Sequence, residues 1–501
     1  MKLSKFPLFK TGVKKNTNLN LKSQVTASKN DCSLFSRLYI ATSANRPNDL
    51  GEFFSHENQE YPPSISVMGK LRTSDSKSDL TKYLSNLSEE CTADSVPIVQ
   101  AKILDGAVIE HMLKPGTSVT FGDYISNIFL NYVRKESATV NRLDLVFDRY
   151  LENSLKNGTR QKRGEGSRIR VTLSTKVPKG WENFLRHADN KTALFELLAE
   201  SISNSNIPGK TFFATLEDSV VSSPFGADSS SMAPCNHEEA DTRLFVHLAD
   251  AVAHGCEKVT IRTCDTGVLV IAVSCIQQLP QLQELWVHFG MGKHSKFLAA
   301  HEIAIVLGPE KSESLLGFHA FTGCDTVSYF KGIGKLTAVN AWLKYPGATD
   351  GFKALQDGTV VQAMGNLEVF VVSTYTRTAS CETVNECRRV LFTKSDRQLK
   401  SIPPTRNALE QHAKRASIQS QVWRQSLERK QNFPDSADFG WKICEEGWEP
   451  VWRTIPVASE ACEALIKCSC RKGCVPARCK CLKNGLKCCE LCKCTCRLCT
   501  P

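Results

Sequence analysis

Between residues 99 and 289 the chain alternates short β-branched runs with stretches of helical periodicity. Residues 99–104 (VQAKIL) form one such run, ending at Asp105-Gly106, and 142–147 (RLDLVF) form another, ending at Asp148. Lys258–Thr263 (KVTIRT) is a third, ending near Asp265, and Glu284–Phe289 (ELWVHF) is a fourth. Within EEADTRLFVHLADAVAHG, residues Ala240, Leu244, His247/Leu248 and Ala251 recur at helical spacing, and Gly255 suits the residue after a helix end. The pattern predicts an α/β domain with a mainly parallel sheet. In such sheets ligands bind at the carboxyl ends of the strands. Three of the four predicted strands end there in an aspartate. One aspartate at such a place is ordinarily a turn residue or a helix cap. Three at one edge point to a site.

The flanks read differently. The stretch up to 97 holds one apolar segment, LFSRLYIATSA, and is assigned no function. Residues 222–234 (SSPFGADSSSMAP) are turn-forming throughout and predict a loop. Residues 405–430 are dense in Ala, Leu, Gln, Arg and Lys and predict a helix. An irregular connector carrying Trp441, Trp448 and Trp452 follows it. The expected division is 1–97, an α/β domain over 98–345, a helical and irregular connector over 346–462, and a cysteine-rich module over 463–501.

Composition narrows the class. A chain of 501 residues, 41% hydrophobic and 23% charged, has room for two to four ordinary globular domains. Its longest apolar runs, such as 268–273, fall far short of the roughly 20 residues that a membrane-spanning helix needs. The N-terminus has no apolar core of signal-peptide length. It has no acid before Asp31, as in a transit peptide, but its basic residues are all Lys. The 22 cysteines are then expected as thiols or metal ligands in a reducing compartment. The net charge of +11 suits an acidic partner such as nucleic acid.

Further acids join the strand-end aspartates. Glu239 and Asp241 open the periodic helix, where first-turn acids are common, and Asp325 sits in FTGCDT. If Asp105, Asp148, Glu239, Asp241, Asp265 and Asp325 converge, they cannot share a small volume as anions without cations. Mg²⁺ or Mn²⁺ with oxygen ligands is the natural solution, and such sites suit phosphodiester hydrolysis. His237, His301 and His319 lie nearby but read as core residues.

In order and approximate spacing these features resemble the PIN-like nuclease fold, in its flap-endonuclease (XPG-type) branch. The likeness covers roughly half the chain. The family places acids where this chain has Ile103-Leu104-Asp105 and Val146-Phe147-Asp148. Its E-A-E motif is matched by Glu239-Ala240-Asp241, and its D-x-D by Asp265-Thr266-Gly267. Its G-x-D and G-I-G hairpin are matched by Gly323-Cys324-Asp325 and Gly332-Ile333-Gly334-Lys335. The resemblance implies a parallel-sheet nuclease domain with a helical hairpin. In it Lys156 and Arg163 reach the scissile phosphate, and Gly332, Gly334 and Lys335 meet a duplex phosphate. Gly267 in place of an acid removes one ligand of the second metal position. Asp241 is one methylene shorter than the family's Glu. The basic stretch 160–170 reads either as a solvated loop or as a phosphate clamp.

The tail is a different chemistry. Cys468, Cys470, Cys474, Cys479, Cys481, Cys488, Cys489, Cys492, Cys494, Cys496 and Cys499 are too closely set for isolated tetrahedral zinc sites. Adjacent C-x-C pairs favour thiolates that bridge several ions. CSCRKGC, RCKC, GLKC and LCKC resemble the tesmin/TSO1-like CXC domain, with altered spacings at both ends. The resemblance implies about three Zn²⁺ and DNA contact. Nine basic residues from Lys467 onward stand against one acid, Glu490, and part of that excess balances the thiolates. A metallothionein-like store is the bland alternative, opposed by Leu482, Leu486 and Leu491 as a small apolar core.

Two functions are thus expected: a metal-dependent, structure-selective DNA nuclease with a zinc tail, or a catalytically inactive PIN-like scaffold that binds DNA. A domesticated mobile-element origin is compatible with either. DNA is the expected partner and RNA the alternative, with no membrane; the nucleus is the expected location and the cytoplasm the alternative.

Overall fold

The computed structural model describes residues 50–73, 78–93, 95–151, 154–156, 166–205, 207–376, 381–394, 399–432, 434–445, 447–458, 466–470, 474–475 and 478–494. The chain packs as two units. The larger spans Ile65–Val384 and Arg406–Thr454; the smaller combines Met1–Ser64, Asn385–Thr405 and Ile455–Pro501.

One eight-stranded sheet organises the larger unit. Its strands are β1 (Thr92–Ala93), β2 (Ala101–Asp105), β3 (Arg142–Val146), β4 (Thr211–Leu216), β5 (Ser219–Ser223), β6 (Lys258–Thr263), β7 (Glu284–Phe289) and β8 (Lys296–Ala299). The order is β1-β8-β7-β6-β2-β3-β4-β5. Strands β7, β6, β2, β3 and β4 are parallel, while β1, β5 and β8 pair antiparallel at the edges. From β2 the chain first builds outward through β3 and β4. It then returns to the other side of β2 to add β6 and β7. The crevice between β2 and β6 is therefore the point where the winding reverses, the usual ligand position in such sheets. All five residues of β3 are buried, as expected of a parallel strand covered on both faces.

Helices α1 (Gly106–Met112), α2 (Leu130–Ser137) and α3 (Ala188–Ser203) belong to the connections leading to β3 and β4. Leu104, Leu143, Leu145, Phe212 and Ala214 pack with Phe129, Leu194 and Leu198 in one core. Helices α4 (Ala240–Ala253) and α5 (Thr266–Cys275) follow β5 and β6, and α4 packs against β2 and β3. The expected helical residues Ala240, Leu244, His247, Leu248 and Ala251 are all buried. Every residue of α5 is buried, because helices cover it on the side away from the sheet.

Those helices include α6 (Ala300–Leu307), α7 (Pro309–Phe321) and α11 (Arg406–Arg424), while α8 (Lys335–Lys344), α9 (Ala348–Gln356) and α10 (Val360–Tyr375) pack on α7, α11 or one another. They meet around a ring cluster: Phe318 stacks on Trp342 at 4.8 Å, and Phe352 meets Phe370 edge-on at 5.1 Å. Helix α7 packs on α5, α9 and α11, so much of the expected connector belongs to the same unit as the sheet. This is the α/β, mostly parallel architecture predicted above, with α7 and α8 flanking the segment 322–334. No helix among the described residues is long and apolar enough to cross a membrane.

At the amino end of β3, Arg142 binds Asp144 through two hydrogen bonds of 2.8 and 2.7 Å and reaches Asp250 of α4. His247 Nδ1 lies 2.7 Å from Asp144 Oδ2. All four side chains are buried. Burial alone would raise the Asp144 carboxyl, but the Arg142 guanidinium outweighs it and holds it below its ordinary range.

In the smaller unit, the buried Arg388 guanidinium lies 3.4 Å from buried Glu57 and donates to the carbonyls of Phe54 and Pro403.

Candidate functional site

Five of the six acids gather because each is fixed to the start of a helix at the carboxyl edge of the sheet; Asp325 comes from the segment 322–334. Asp105 ends β2 and caps α1, its Oδ1 accepting the Ala107 N–H at 3.0 Å. Asp265 follows β6 and caps α5 through Gly267 N–H at 2.5 Å. Asp148 follows β3, and its Oδ1 accepts the N–H of Ala240, the first residue of α4, at 2.8 Å. Glu239 is the N-cap residue of α4 and Asp241 lies in its first turn. The ordinary capping role of a strand-end aspartate and its place at the cavity coincide, because the cap holds one oxygen and orients the carboxylate.

Two glycines permit this packing. A Cβ on Gly106 would lie 2.1 Å from Phe147 Cδ1, so only glycine lets α1 start against the end of β3. Gly323 has φ +111°, and a Cβ there would meet the Tyr329 backbone at 2.9 Å. It forms the turn that leads to Asp325.

The structure brings Asp105, Asp148, Glu239, Asp241, Asp265 and Asp325 onto one cavity of about 780 Å³. Burial, then the nearby Asp148, pushes the Asp105 carboxyl up to about 7. Burial also raises Asp241 well above its ordinary range, with Asp265 and Glu239 adding to it. Glu239 is raised for the same first reason. Lys156 lines the cavity too, and its ammonium forms an ion pair with Glu239. Burial would lower that ammonium, but Glu239, Asp241 and Asp325 outweigh it and hold it charged. Lys156 is thus turned onto the acids. Arg163, its expected companion, lies outside the described residues, as does most of the basic stretch 160–170.

The carboxylates fit a divalent cation of a particular kind. Among the described residues, no three of them bring one oxygen each within 4.8 Å of one another. An ion that keeps several of its own waters, as Mg²⁺ does, suits such a spread donor set better than one needing a tight protein cage. Half-buried Asp148 adds to the burial that raises buried Asp105, a strain that a cation would relieve. The second position fits less well. A Cβ on Gly267 would lie 3.0 Å from Asp265 Oδ1 and 4.0 Å from Asp241 Oδ2, so the missing side chain is one that would face these acids.

The rest of the cavity lining was not foreseen from the sequence. His111 of α1, Lys114, Arg186 and Lys191 of α3 line the cavity together with Tyr150 and Trp181. Lys191 Nζ lies 2.7 Å from Oε1 of the fully buried Glu110 and 5.6 Å from the Tyr150 ring centre. Burial pushes Glu110 up to about 7, against the pull of Lys191. These residues carry no short motif; only the folding of α1 and α3 onto the same edge assembles them.

The glycine hairpin divides. Gly332 has φ +81°, Gly334 is the N-cap residue of α8, and no atom lies within 4 Å of a Cβ built at either. Their backbone is open to an approaching group. Lys335 is not: it is 3% exposed, and its Nζ donates to His319 O and Thr322 Oγ1, each at 2.8 Å. Its ammonium closes the end of α7 from within the core, which corrects the expectation that it faces a duplex. The turn is also longer than a tight helix–helix link, since 322–334 separates α7 from α8.

In the tail, Cys468, Cys479, Cys481 and Leu486 form a small buried core beside the short helix Lys480–Lys483. Sulfur atoms lie 3.5 to 3.8 Å apart, as in Cys468–Cys494 and Cys468–Cys488. A disulfide would be about 2.05 Å. A Zn–S bond of about 2.3 Å gives a tetrahedral edge of about 3.8 Å. Among the described residues, three sets of four cysteines are close enough to hold a metal: 468/470/474/479, 468/481/488/492 and 468/474/488/494. Cys468 belongs to all three sets, and Cys474 and Cys488 to two each, so simultaneous occupation requires shared sulfurs. The donor set fits thiophilic ions bound as a cluster. Cys489 stands outside these sets, and Cys496 and Cys499 lie outside the described residues.

No protein-family model matches the chain, and no curated protein matches it. Solved structures similar to it include three of the catalytic core of Rad2 in complex with DNA substrate. Complex III is 14% identical with a TM-score of 0.32, covering 55% of this chain and 71% of that one. Complex II has the same identity and score, covering 52% and 67%. Complex IV, again 14% identical, has a TM-score of 0.31 and covers 63% and 94%. At that level no residue-by-residue correspondence follows.

Proposed function

We propose that the larger unit is a divalent-metal-dependent nuclease acting on DNA, and that the cysteine tail is a zinc cluster that adds DNA contact. The observation that carries the first part is that six carboxylates share one cavity with basic and aromatic side chains. Carboxylates alone would repel a phosphodiester. Lys114, Arg186 and Lys191 in the same lining offset that repulsion and bind the backbone. Asp105 and Asp148 are the residues that would hold the metal, with Glu239, paired to Lys156, next to them. Bound there, the ion would lower the pKa of an attacking water and stabilise the leaving oxygen. Asp265 and Asp325 complete the negative field around it. The open N–H groups at Gly332 and Gly334 suit a phosphate farther along the substrate.

For the tail, what supports zinc is the sulfur spacing, and what supports DNA is the excess of basic residues from Lys467 onward. About three zinc ions would account for the overlapping cysteine sets. The net charge of +11 favours a nucleic-acid partner, and the nucleus is the proposed location.

Gly267 favours a second reading, in which the cavity binds DNA without cutting it. Incubating the full chain with flap, single-stranded and duplex DNA in Mg²⁺ or Mn²⁺, beside Asp148→Ala, tests both. Metal-dependent cutting that Asp148→Ala abolishes supports the nuclease. Binding without cutting under every condition supports the platform.

A further inference from the structure

The acids of the cavity all act on one another. Burial comes first in raising Asp105 and Asp241; Asp148 and Asp265 add to the first, and Asp265, Glu239 and Asp105 add to the second. Lys156 is set against one group of them, Glu239, Asp241 and Asp325. Its ammonium pairs with Glu239 and is held charged by Asp241 and Asp325 as well. The side chains of Lys156 and Glu239 are each only 16% exposed, so the pair is enclosed within the site.

Gly267 stands at the same group. A side chain there would project toward Asp265 and Asp241, and glycine supplies none. Relative to a site with an acid at 267, this one has one negative charge fewer, and the Lys156 ammonium sets a positive charge against the acids that remain. Together these offset as much negative charge as one divalent ion would. An ammonium offers three donors and no lone pair, so it satisfies carboxylates as a cation but cannot share them as a ligand. It also repels a second cation at close range.

We propose that Lys156 is a built-in cation that takes the place of a second divalent ion, so that the cavity binds a single divalent cation, beside Asp105 and Asp148. This rests on the reading of the cavity as a divalent-metal site. It changes what the resemblance to flap endonucleases implied for Lys156, whose charge is spent on the acids of the site. It also gives Gly267 a reason: with the ammonium in place of a second ion, a further ligand for that ion has no role.

The count of bound Mn²⁺ tests this without any reaction. The full-length, zinc-loaded chain is titrated with Mn²⁺ while the electron paramagnetic resonance signal of the aqueous ion is followed. Mn²⁺ prefers oxygen ligands and leaves the thiolate tail to zinc. The expected result is one Mn²⁺ per chain, with the spectrum of an isolated ion, weakened at least tenfold by Asp148→Ala. The double variant Lys156→Met, Gly267→Asp is expected to bind two, with the second at least tenfold tighter than any second ion on the natural chain and with a coupled spectrum. Gly267→Asp alone, retaining the lysine, is expected to stay at one, which keeps the test open if the double variant does not fold. Two coupled ions on the natural chain overturn the inference and leave the metal reading standing. So do two ions on Gly267→Asp alone, or a folded double variant that stays at one. No bound Mn²⁺ on the natural chain overturns the metal reading and the inference together.

Discussion

The ammonium of Lys191 lies 2.7 Å from Oε1 of Glu110, whose side chain has no exposed surface. The pair sits behind the cavity wall, and Asp105 and Asp148 both add to the charge that Glu110 feels. Burial pushes its carboxyl up from 4.5 to about 7. Between those values the unfolded chain is ionised at this residue while the folded chain holds a proton. Folding then takes up a proton, so this contribution is full below pH 4.5 and is lost as the pH rises to about 7. Glu110→Gln is expected to remove that slope, about 3 kcal/mol across the window. Urea unfolding of both proteins from pH 4.5 to 7.5 checks it; parallel profiles would refute the assignment.

Lys191 itself faces the cavity. Lys191→Ala is expected to weaken nucleic-acid binding about tenfold and to lower the salt slope of log K by about one. Lys191→Arg should restore most of the affinity. Fluorescence anisotropy over a salt series reads both, and an unchanged slope would remove Lys191 from the phosphate contacts.

Asp148 combines a cap with a proposed metal ligand, and two substitutions separate them. Asp148→Asn keeps an oxygen to accept the Ala240 N–H, so stability should stay within about 1 kcal/mol while cleavage is lost. Asp148→Ala should lose cleavage and also about 1 kcal/mol of stability. If Asp148→Asn cuts DNA at the natural rate, the carboxylate charge is not required.

Arg142 lies between Asp144 and Asp250 with all three buried. Arg142→Met would leave two carboxylates without their cation and is expected to cost about 3–5 kcal/mol. The Asp144 carboxyl is held below its ordinary 3.8. Its contribution is therefore present above that pH and is lost as the pH falls through the lower folded value. Denaturant melts at neutral pH test the first statement, and acid unfolding with and without Asp144→Asn tests the second.

The tail should depend on its metal. Among the described residues its buried core is four residues, three of them cysteines, too small to fold alone. Cobalt substitution is expected to give thiolate charge-transfer bands, and a strong chelator should abolish them while releasing reactive thiols. The far-ultraviolet circular dichroism of the sheet-bearing unit should persist. Thiols that already react fully before chelation would rule out a zinc cluster.

Legibility from the sequence followed local chemistry. Lys258–Thr263 and Glu284–Phe289 were readable because β-branched and aromatic runs end at turn residues. Strand β2 begins two residues later than its apolar run, and α11 ends at Arg424 rather than 430. The hairpin of β4 and β5 escaped notice for a definite reason. Its turn is Glu217-Asp218, with Glu217 at φ +50°, and not the Asn-Gly or Asp-Gly pair that marks such turns. Arg243 holds it by donating to the carbonyls of Glu217 and Ser219, a contact made from another helix.

By itself the sequence determined the alternation of strand and helix, the edge at which strand-end aspartates collect, and the thiol-rich tail. These depend on residue type at short spacing, which hydrophobic period and capping chemistry translate directly into structure. Only the tertiary structure decided that Lys156 pairs with Glu239, that Lys335 points inward, and that Lys191 pairs with buried Glu110 at the cavity. Those outcomes are set by distance and burial between residues far apart in the chain. Coulomb energy and desolvation depend on the position of a charge in space, which residue order alone does not specify.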